Sequence, residues 1–382
     1  MNYLRILLVL VIAFFLFGCA TKPEPVENEI DNITEPIIEE PVEEEIEEIE
    51  EPVVEEPESS EPYSNYALPI SERSFYLGLL PSPKSDPTTT YEDTIAAYEE
   101  TAQLAEVSMV WTVPSGIGQY ERLKQSQAIT GVRVYGLIPV VTLTFWTIEE
   151  IEDKGLVVGV DAPEGIEANL SDEEFRTLWV QEAKKIAEEY QPEYFSLGNE
   201  VNDFFYFYPG AFDDYLSLCE DAYSEIKEVS PNTKVMVVFS YNHMIENEQQ
   251  EMISEFEDVV DVMGFTTYPW KYYDNPEDIP DDYYADIERY TNKPVAFTEI
   301  GWASAHEANS SEEEQAEYLV KFLNLTKDMD VEMVNWLFLH YMQLTDPKFT
   351  SETGTISLNN ADGTKKVVYD VWRDLKDLPL SR

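Results

Sequence analysis

From about residue 75 onward, short apolar runs alternate along the chain with stretches whose apolar residues recur at helical spacing. The runs 75–80, 107–113, 136–144, 194–198, 234–240, 262–267, 294–298 and 333–339 read as eight strands. Intervening helices include 172–189, opened by the capping-box pattern Ser171-Asp172-Glu173-Glu174, and 311–328. Runs such as VMVVF at 235–239 are apolar on both faces, as in a sheet covered on both sides. Eight strands alternating with helices are the count of a closed parallel (β/α)8 TIM barrel of the α/β class. An open doubly wound sheet would more often carry a glycine-rich phosphate turn after an early strand, and here the first strand leads into PSPKSDP.

The pattern changes before residue 66. Residues 1–19 hold one positive residue, Arg5, then an uncharged apolar stretch from 6 to 18, and then Cys19. Thirteen residues are too few to span a bilayer, so the segment reads as a secretory signal. The ending Leu16-Phe17-Gly18-Cys19 resembles a prokaryotic lipobox, which implies lipidation of Cys19 and a membrane partner through that anchor; an ordinary cleaved signal is the alternative. Between Thr21 and Pro62 stand 18 acidic residues and one basic one, Lys22, among Pro, Val and Ile. Such a stretch buries too little apolar area to offset the entropy of ordering it. The expected organisation is a signal peptide at 1–19, a disordered acidic linker at 20–65 and one barrel domain at 66–382, on the extracellular face of the membrane.

Charge narrows the partners. The chain carries a formal net charge of −53, and removing the first 62 residues still leaves 59 acidic residues against 22 basic. That argues against nucleic acid as a partner. The histidines His243, His306 and His340 have no ligand spacing, so neither a metal nor another cofactor is expected. Cys219 falls on the apolar stripe of a helix with Phe212, Tyr215, Leu216 and Ile226, the place of a structural thiol. The expected assembly is a monomer.

Glu200 ends the run YFSLGNE and Glu299 the run PVAFTE, 99 residues apart, or three units of 33. Each unit is the length of a strand, a helix and two loops, so both acids fall at equivalent positions, on the fourth and seventh strands. The C-terminal ends of barrel strands open onto one face, and two carboxylates raised there are the apparatus for cleaving a glycosidic bond.

Asn199-Glu200 and Glu299 resemble the catalytic signature of the retaining barrel glycosidases of clan A. TEIGW is similar to the nucleophile segment of family 17, and LGNEVN to segments of families 53 and 5. The resemblance implies Glu299 as nucleophile, Glu200 as acid/base, Asn199 on the sugar 2-hydroxyl, Tyr268 bonded to the nucleophile, and Trp336 as an aromatic floor. Thr266 stands where many members carry a histidine. The tail SLNNADGTKKVVYDVW also resembles the ending common in these barrels.

Aromatics cluster where loops should ring the mouth: Trp111, Phe145-Trp146, Phe204 to Tyr208, Trp270, Tyr272-Tyr273 and Trp302. Sugar rings stack on such side chains, and Trp270 and Trp302 are the foremost candidates because each follows a functional strand. The sequence thus points to a carbohydrate partner and to hydrolysis of a β-linked glycan by double displacement. A noncatalytic carbohydrate-binding lipoprotein and a transglycosylase remodelling β-glucan are the rival readings.

Overall fold

The computed structural model describes residues 62–111, 118–151, 155–343 and 351–382. The segment 1–19 with Cys19, most of the acidic segment 20–65, and positions 112 and 113 of the second expected strand lie outside the described residues. In chain order the elements are β1 (Tyr76–Leu80), α1 (Tyr91–Leu104), β2 (Val107–Trp111), α2 (Gln119–Ser126), α3 (Ala128–Val134), β3 (Ile138–Thr142), β4 (Trp146–Ile151), β5 (Gly155–Val160), α4 (Glu173–Tyr190), β6 (Tyr194–Ser196), α5 (Val201–Phe207), α6 (Phe212–Val229), β7 (Lys234–Ser240), α7 (Tyr241–Glu246), α8 (Met252–Glu255), β8 (Val262–Thr267), β9 (Val295–Ile300), α9 (Glu312–Thr326), β10 (Val331–Phe338) and α10 (Val367–Asp377).

Eight strands close on themselves in the order β1-β10-β9-β8-β7-β6-β3-β2, every neighbouring pair parallel. The barrel is the one read from the apolar runs, and the antiparallel hairpin β4-β5 is an addition to it. The signal for that hairpin was weak, because its segment mixes Glu and Gly with Val and Ile and lacks a two-residue turn signature.

Alternation along the strands divides the apolar residues into two layers. Val107, Met109, Val140, Tyr194, Met236, Val238, Val262, Ala296 and Met333 form one cluster, the barrel interior. The other face of each strand packs against the helices; Phe297, for example, meets Phe322 of α9 with ring centroids 4.9 Å apart. Capping side chains start several helices. Thr90 and Asp93 form a reciprocal capping box on α1, and Ser311 caps α9. On α4 the cap is Asp172, which accepts from Phe175 N at 2.9 Å, rather than the expected Ser171 box.

Ordered contacts reach into the segment expected to be linker. Tyr63 N donates to Asp374 Oδ1 at 2.6 Å, Ser64 N to Oδ2 at 2.9 Å, and the Arg373 guanidinium lies 3.7 Å from the centre of the Tyr63 ring. Cys219 is fully buried on α6, and burial pushes its thiol well above the ordinary value, as befits a structural residue. Among the described residues no helix is long and apolar enough to cross a membrane.

Candidate active site

Glu200 and Glu299 reach the same end of the barrel by different local devices. After β6, Gly198 permits close packing, since a Cβ there would lie 2.6 Å from Val201 Cγ1 and 2.7 Å from the Tyr215 hydroxyl. Glu200 then adopts a left-handed backbone, φ +52°, and becomes the N-cap of α5. For a non-glycine residue that conformation costs about 1–2 kcal/mol, a strain of the kind that accumulates at functional positions.

Glu299 depends on an irregularity in β9. Phe297 pairs with Phe265 and Glu299 pairs with Thr266, so one extra residue, Thr298, is inserted. The neighbour on the other side shows the same step: Val334 pairs with Phe297 and Trp336 with Ile300. Ala296 faces the interior and Phe297 the helices, so strict alternation would send the residue-299 side chain outward. The bulge reverses the phase and turns Glu299 into the barrel mouth beside Thr266. Thr298 is buried, its hydroxyl donating to Phe265 O at 3.3 Å.

A hydrogen-bond network then joins the two acids. Asn199 Nδ2, on the residue preceding Glu200, donates to Glu299 Oε1 at 3.2 Å. The Tyr268 hydroxyl donates to Glu299 Oε2, and Thr266 Oγ1 donates to Glu200 Oε1 at 2.7 Å. Trp146 of the hairpin fixes this corner from outside, its indole N–H donating to Asn199 O at 2.9 Å.

The electrostatics follow from this enclosure. Burial, and next the charge of Glu200, pushes Glu299 up to about 8, while the bonds from Tyr268 and Asn199 pull it down. Burial, and next the charge of Asp203, raises Glu200; Thr266, His243 and Lys271 oppose the rise. Burial and the neighbouring Glu299 hold the Tyr268 phenol well above its ordinary value, so it remains a donor. Two carboxyls in such proximity resist ionising together and titrate as a pair.

The structure brings together Asn199, Glu200, Tyr268 and Glu299 from the residues singled out in the sequence. Asn199 differs in one respect from the expectation that it is free for a sugar hydroxyl: its nitrogen is engaged by Glu299, and its buried Oδ1 has no partner among the described residues. Trp270, in the 3-10 turn Pro269–Lys271 after β8, is half-buried, with its indole N–H buried and unpartnered among the described residues and the Lys271 ammonium 5.8 Å from its ring.

Trp302 and Trp336 require correction. Trp302 is 1% exposed, lies against Tyr318 and donates to Ser310 Oγ at 2.9 Å. Trp336 is 0% exposed, donates to Ile356 O at 2.7 Å and packs between Tyr318 and Trp372. Both belong to the layer between barrel and helices, where no sugar face reaches them. Trp336 sits in register with Leu79 and Ile300, on the outward phase of its strand. Phe145, Phe204 and Phe205 are likewise packing residues, whereas Tyr206, Phe207, Tyr208 and Tyr272 are exposed.

Residues outside the predicted set also enter the site: Thr266, Lys271, and the pair Asp203 and His243, whose Oδ2 and Nδ1 are 2.8 Å apart. Only Thr266 carried a signal, its place two residues before Tyr268. Among the described residues no group of three or more His, Cys, Asp or Glu side chains could hold a metal ion.

Comparison with known proteins agrees with this fold. The model of glycosyl hydrolase family 53 matches residues 177–354, somewhat less than half of the chain. No curated protein matches. Solved structures with the same fold include an exo-beta-1,4-mannosidase, Op5Man5, from Opitutaceae bacterium strain TAV5, with TM-score 0.61 and 14% identity over 82% of this chain. This chain spans 61% of the length of that mannosidase. A GH5_18 protein from Streptomyces cattleya in complex with GlcNAc has TM-score 0.59 and 14% identity over 82% of this chain and 83% of its own. A GH5_18 variant from Bifidobacterium longum in complex with Manb1-4GlcNAc has TM-score 0.60 and 11% identity over 80% of each chain.

Proposed function

We propose that this chain, a retaining glycoside hydrolase of clan A, cleaves a β-linked oligo- or polysaccharide with Glu299 as nucleophile and Glu200 as acid/base. One observation carries the assignment. Both oxygens of Glu299 face donors, Asn199 Nδ2 and the Tyr268 hydroxyl, whereas among the described residues Glu200 accepts from Thr266 alone.

Burial by itself favours a proton on Glu299, and the hydrogen bonds favour its ionised form. The two acids share the cost of burial, and two donors on Glu299 against one on Glu200 place the charge on Glu299, because hydrogen bonds to the ionised form are the stronger ones. The single proton of the pair therefore resides on Glu200, where the charge of Asp203 helps to retain it. Glu299 attacks the anomeric carbon as Glu200 gives its proton to the departing oxygen; Glu200, now ionised, then takes a proton from the water that releases the sugar. Asn199 Oδ1 and the Trp270 indole N–H, buried without partners among the described residues, are the acceptor and donor available to sugar hydroxyls. The fold neighbours named for β-1,4-mannoside or solved with Manb1-4GlcNAc support a β-linked hexoside as substrate.

In the same reading residues 1–19 direct export, Cys19 carries a lipid anchor, and the acidic stretch after it spaces the barrel from the membrane surface. The test is turnover of an aryl β-mannoside, β-galactoside and β-glucoside panel, and of the matching β-linked polysaccharides. Wild type should release the β-anomer first, and Glu299→Gln should abolish turnover. Glu200→Gln should lower it about 10²–10⁴-fold on unactivated glycosides. Full activity in either variant, or an inverted first product, rejects the assignment.

A further inference from the structure

Beside Glu200 lies a charged pair that the reaction scheme does not yet use. Asp203 is the third residue of α5, the helix whose N-cap is Glu200, and its N–H donates to Glu200 O at 3.0 Å. Its carboxylate is held in place from two sides. Oδ1 accepts from Asn202 Nδ2 at 3.2 Å, and Oδ2 faces His243 Nδ1 at 2.8 Å. Asn202 is fully buried and further fixed to Ser240 N at 2.7 Å, Ser240 O at 3.2 Å and Gln249 Oε1 at 3.3 Å. His243 stands on α7, directly after β7, the strand between β6 with its Glu200 end and β8 with Thr266. The pair thus occupies the wall next to Glu200, and the imidazole, with its side chain 40% exposed, can exchange a proton with water.

We propose that Asp203 and His243 act as positioning residues whose combined charge sets how tightly Glu200 holds its proton; the inference rests on the reading of Glu200 as acid/base. The charges converging here are Asp203, His243 and Lys271 around Glu200, with Glu299 and Tyr268 across the mouth and Glu246 bonded to Tyr272 on the outer side. The hydrogen bond to Asp203 raises His243, Asp203 raises Glu200, and the imidazolium lowers it.

The sign of the coupling gives the pair its function. While the imidazolium is intact it offsets the Asp203 charge. As pH rises the imidazolium releases its proton to water, the Asp203 charge is uncovered, and Glu200 binds its own proton more firmly. The acid is then retained further into the alkaline range than an isolated glutamic acid in the same pocket would be.

Two variants should move Glu200 in opposite directions, which a merely structural role would not do. Asp203→Asn removes the anion and should lower the Glu200 pKa by about one unit; His243→Gln leaves the anion uncovered and should raise it by about the same amount. The readout is a 13C-NMR titration of protein labelled at the glutamate carboxyl, with the Glu200 resonance identified by its absence from Glu200→Gln. Thermal melting confirms that each variant is folded, and either shift alone is readable if the other variant is not. Shifts of the same sign, or no shift in a folded variant, overturn the inference. Turnover by Glu200→Gln tests the acid/base reading separately, so the titration and that reading can fail independently.

Discussion

Asn199 and Glu299, a hundred residues apart in the chain, are joined by a hydrogen bond of 3.2 Å from the amide nitrogen to Oε1. Because Glu200 is the next residue after Asn199, this contact fixes the spacing of the two acids through a single peptide unit. It ties the end of β6 to the bulged β9 across the intervening strands β7 and β8. The geometry of the pair is therefore held by side chains of the site itself as well as by the barrel.

Tyr268→Phe removes one of the two donors on Glu299. A hydrogen bond to a charged group contributes about 1.5–3 kcal/mol, so kcat/KM should fall roughly 10–100-fold. The direction in pH follows from the same contact. The Tyr268 bond lowers the Glu299 pKa, so its loss should move the acid limb of the kcat/KM profile to higher pH. An unchanged acid limb would mean that Tyr268 does not stabilise the ionised form.

Trp270 and Trp302 should separate in kinetics. Trp270→Phe removes an unpartnered indole N–H at the mouth and should raise KM, with little effect on the melting temperature. Trp302→Phe removes a buried donor to Ser310 and leaves a space beside Tyr318, costing about 1–3 kcal/mol of stability with KM unchanged. Steady-state kinetics and denaturant unfolding on the two variants decide between binding and packing for each ring.

Lys366 gives the fold a pH dependence of its own. Its ammonium is buried, with Ser304 Oγ, Thr355 O and Ser357 Oγ within 3.0 Å, and burial lowers its pKa to about 7 against an unperturbed 10.5. Between these values the unfolded chain binds the extra proton, so stability contributed at this site should rise with pH from about 7 to 10.5, by up to about 1.4 kcal/mol per unit. Urea unfolding across that window should show the rise in wild type and a flatter dependence in Lys366→Met.

The eight strands were legible because their apolar runs are continuous on both faces, and Glu200 and Glu299 because each ends such a run at equivalent spacing. What the sequence hides is phase. PVAFTEI carries no mark of the bulge at Thr298, and without it an alternating reading turns Glu299 toward the helices. The resemblance implied Trp336 as a sugar floor, and the same uncertainty of phase concealed that its strand presents it outward. Trp302 follows Glu299 by three residues, yet it turns into the packing under α9 and leaves the mouth. Asp203 and His243, forty residues apart on separate helices, meet only once β6 and β7 are neighbours, so no spacing could announce them.

The most direct test of the central assignment is peptide mass spectrometry after reaction with 2-deoxy-2-fluoro β-glycosides of mannose, galactose and glucose, which form a slow covalent intermediate with a retaining enzyme. The sugar should be found on Glu299, with no label in Glu299→Gln. Label on Glu200 or on any other residue would contradict the roles given to the pair.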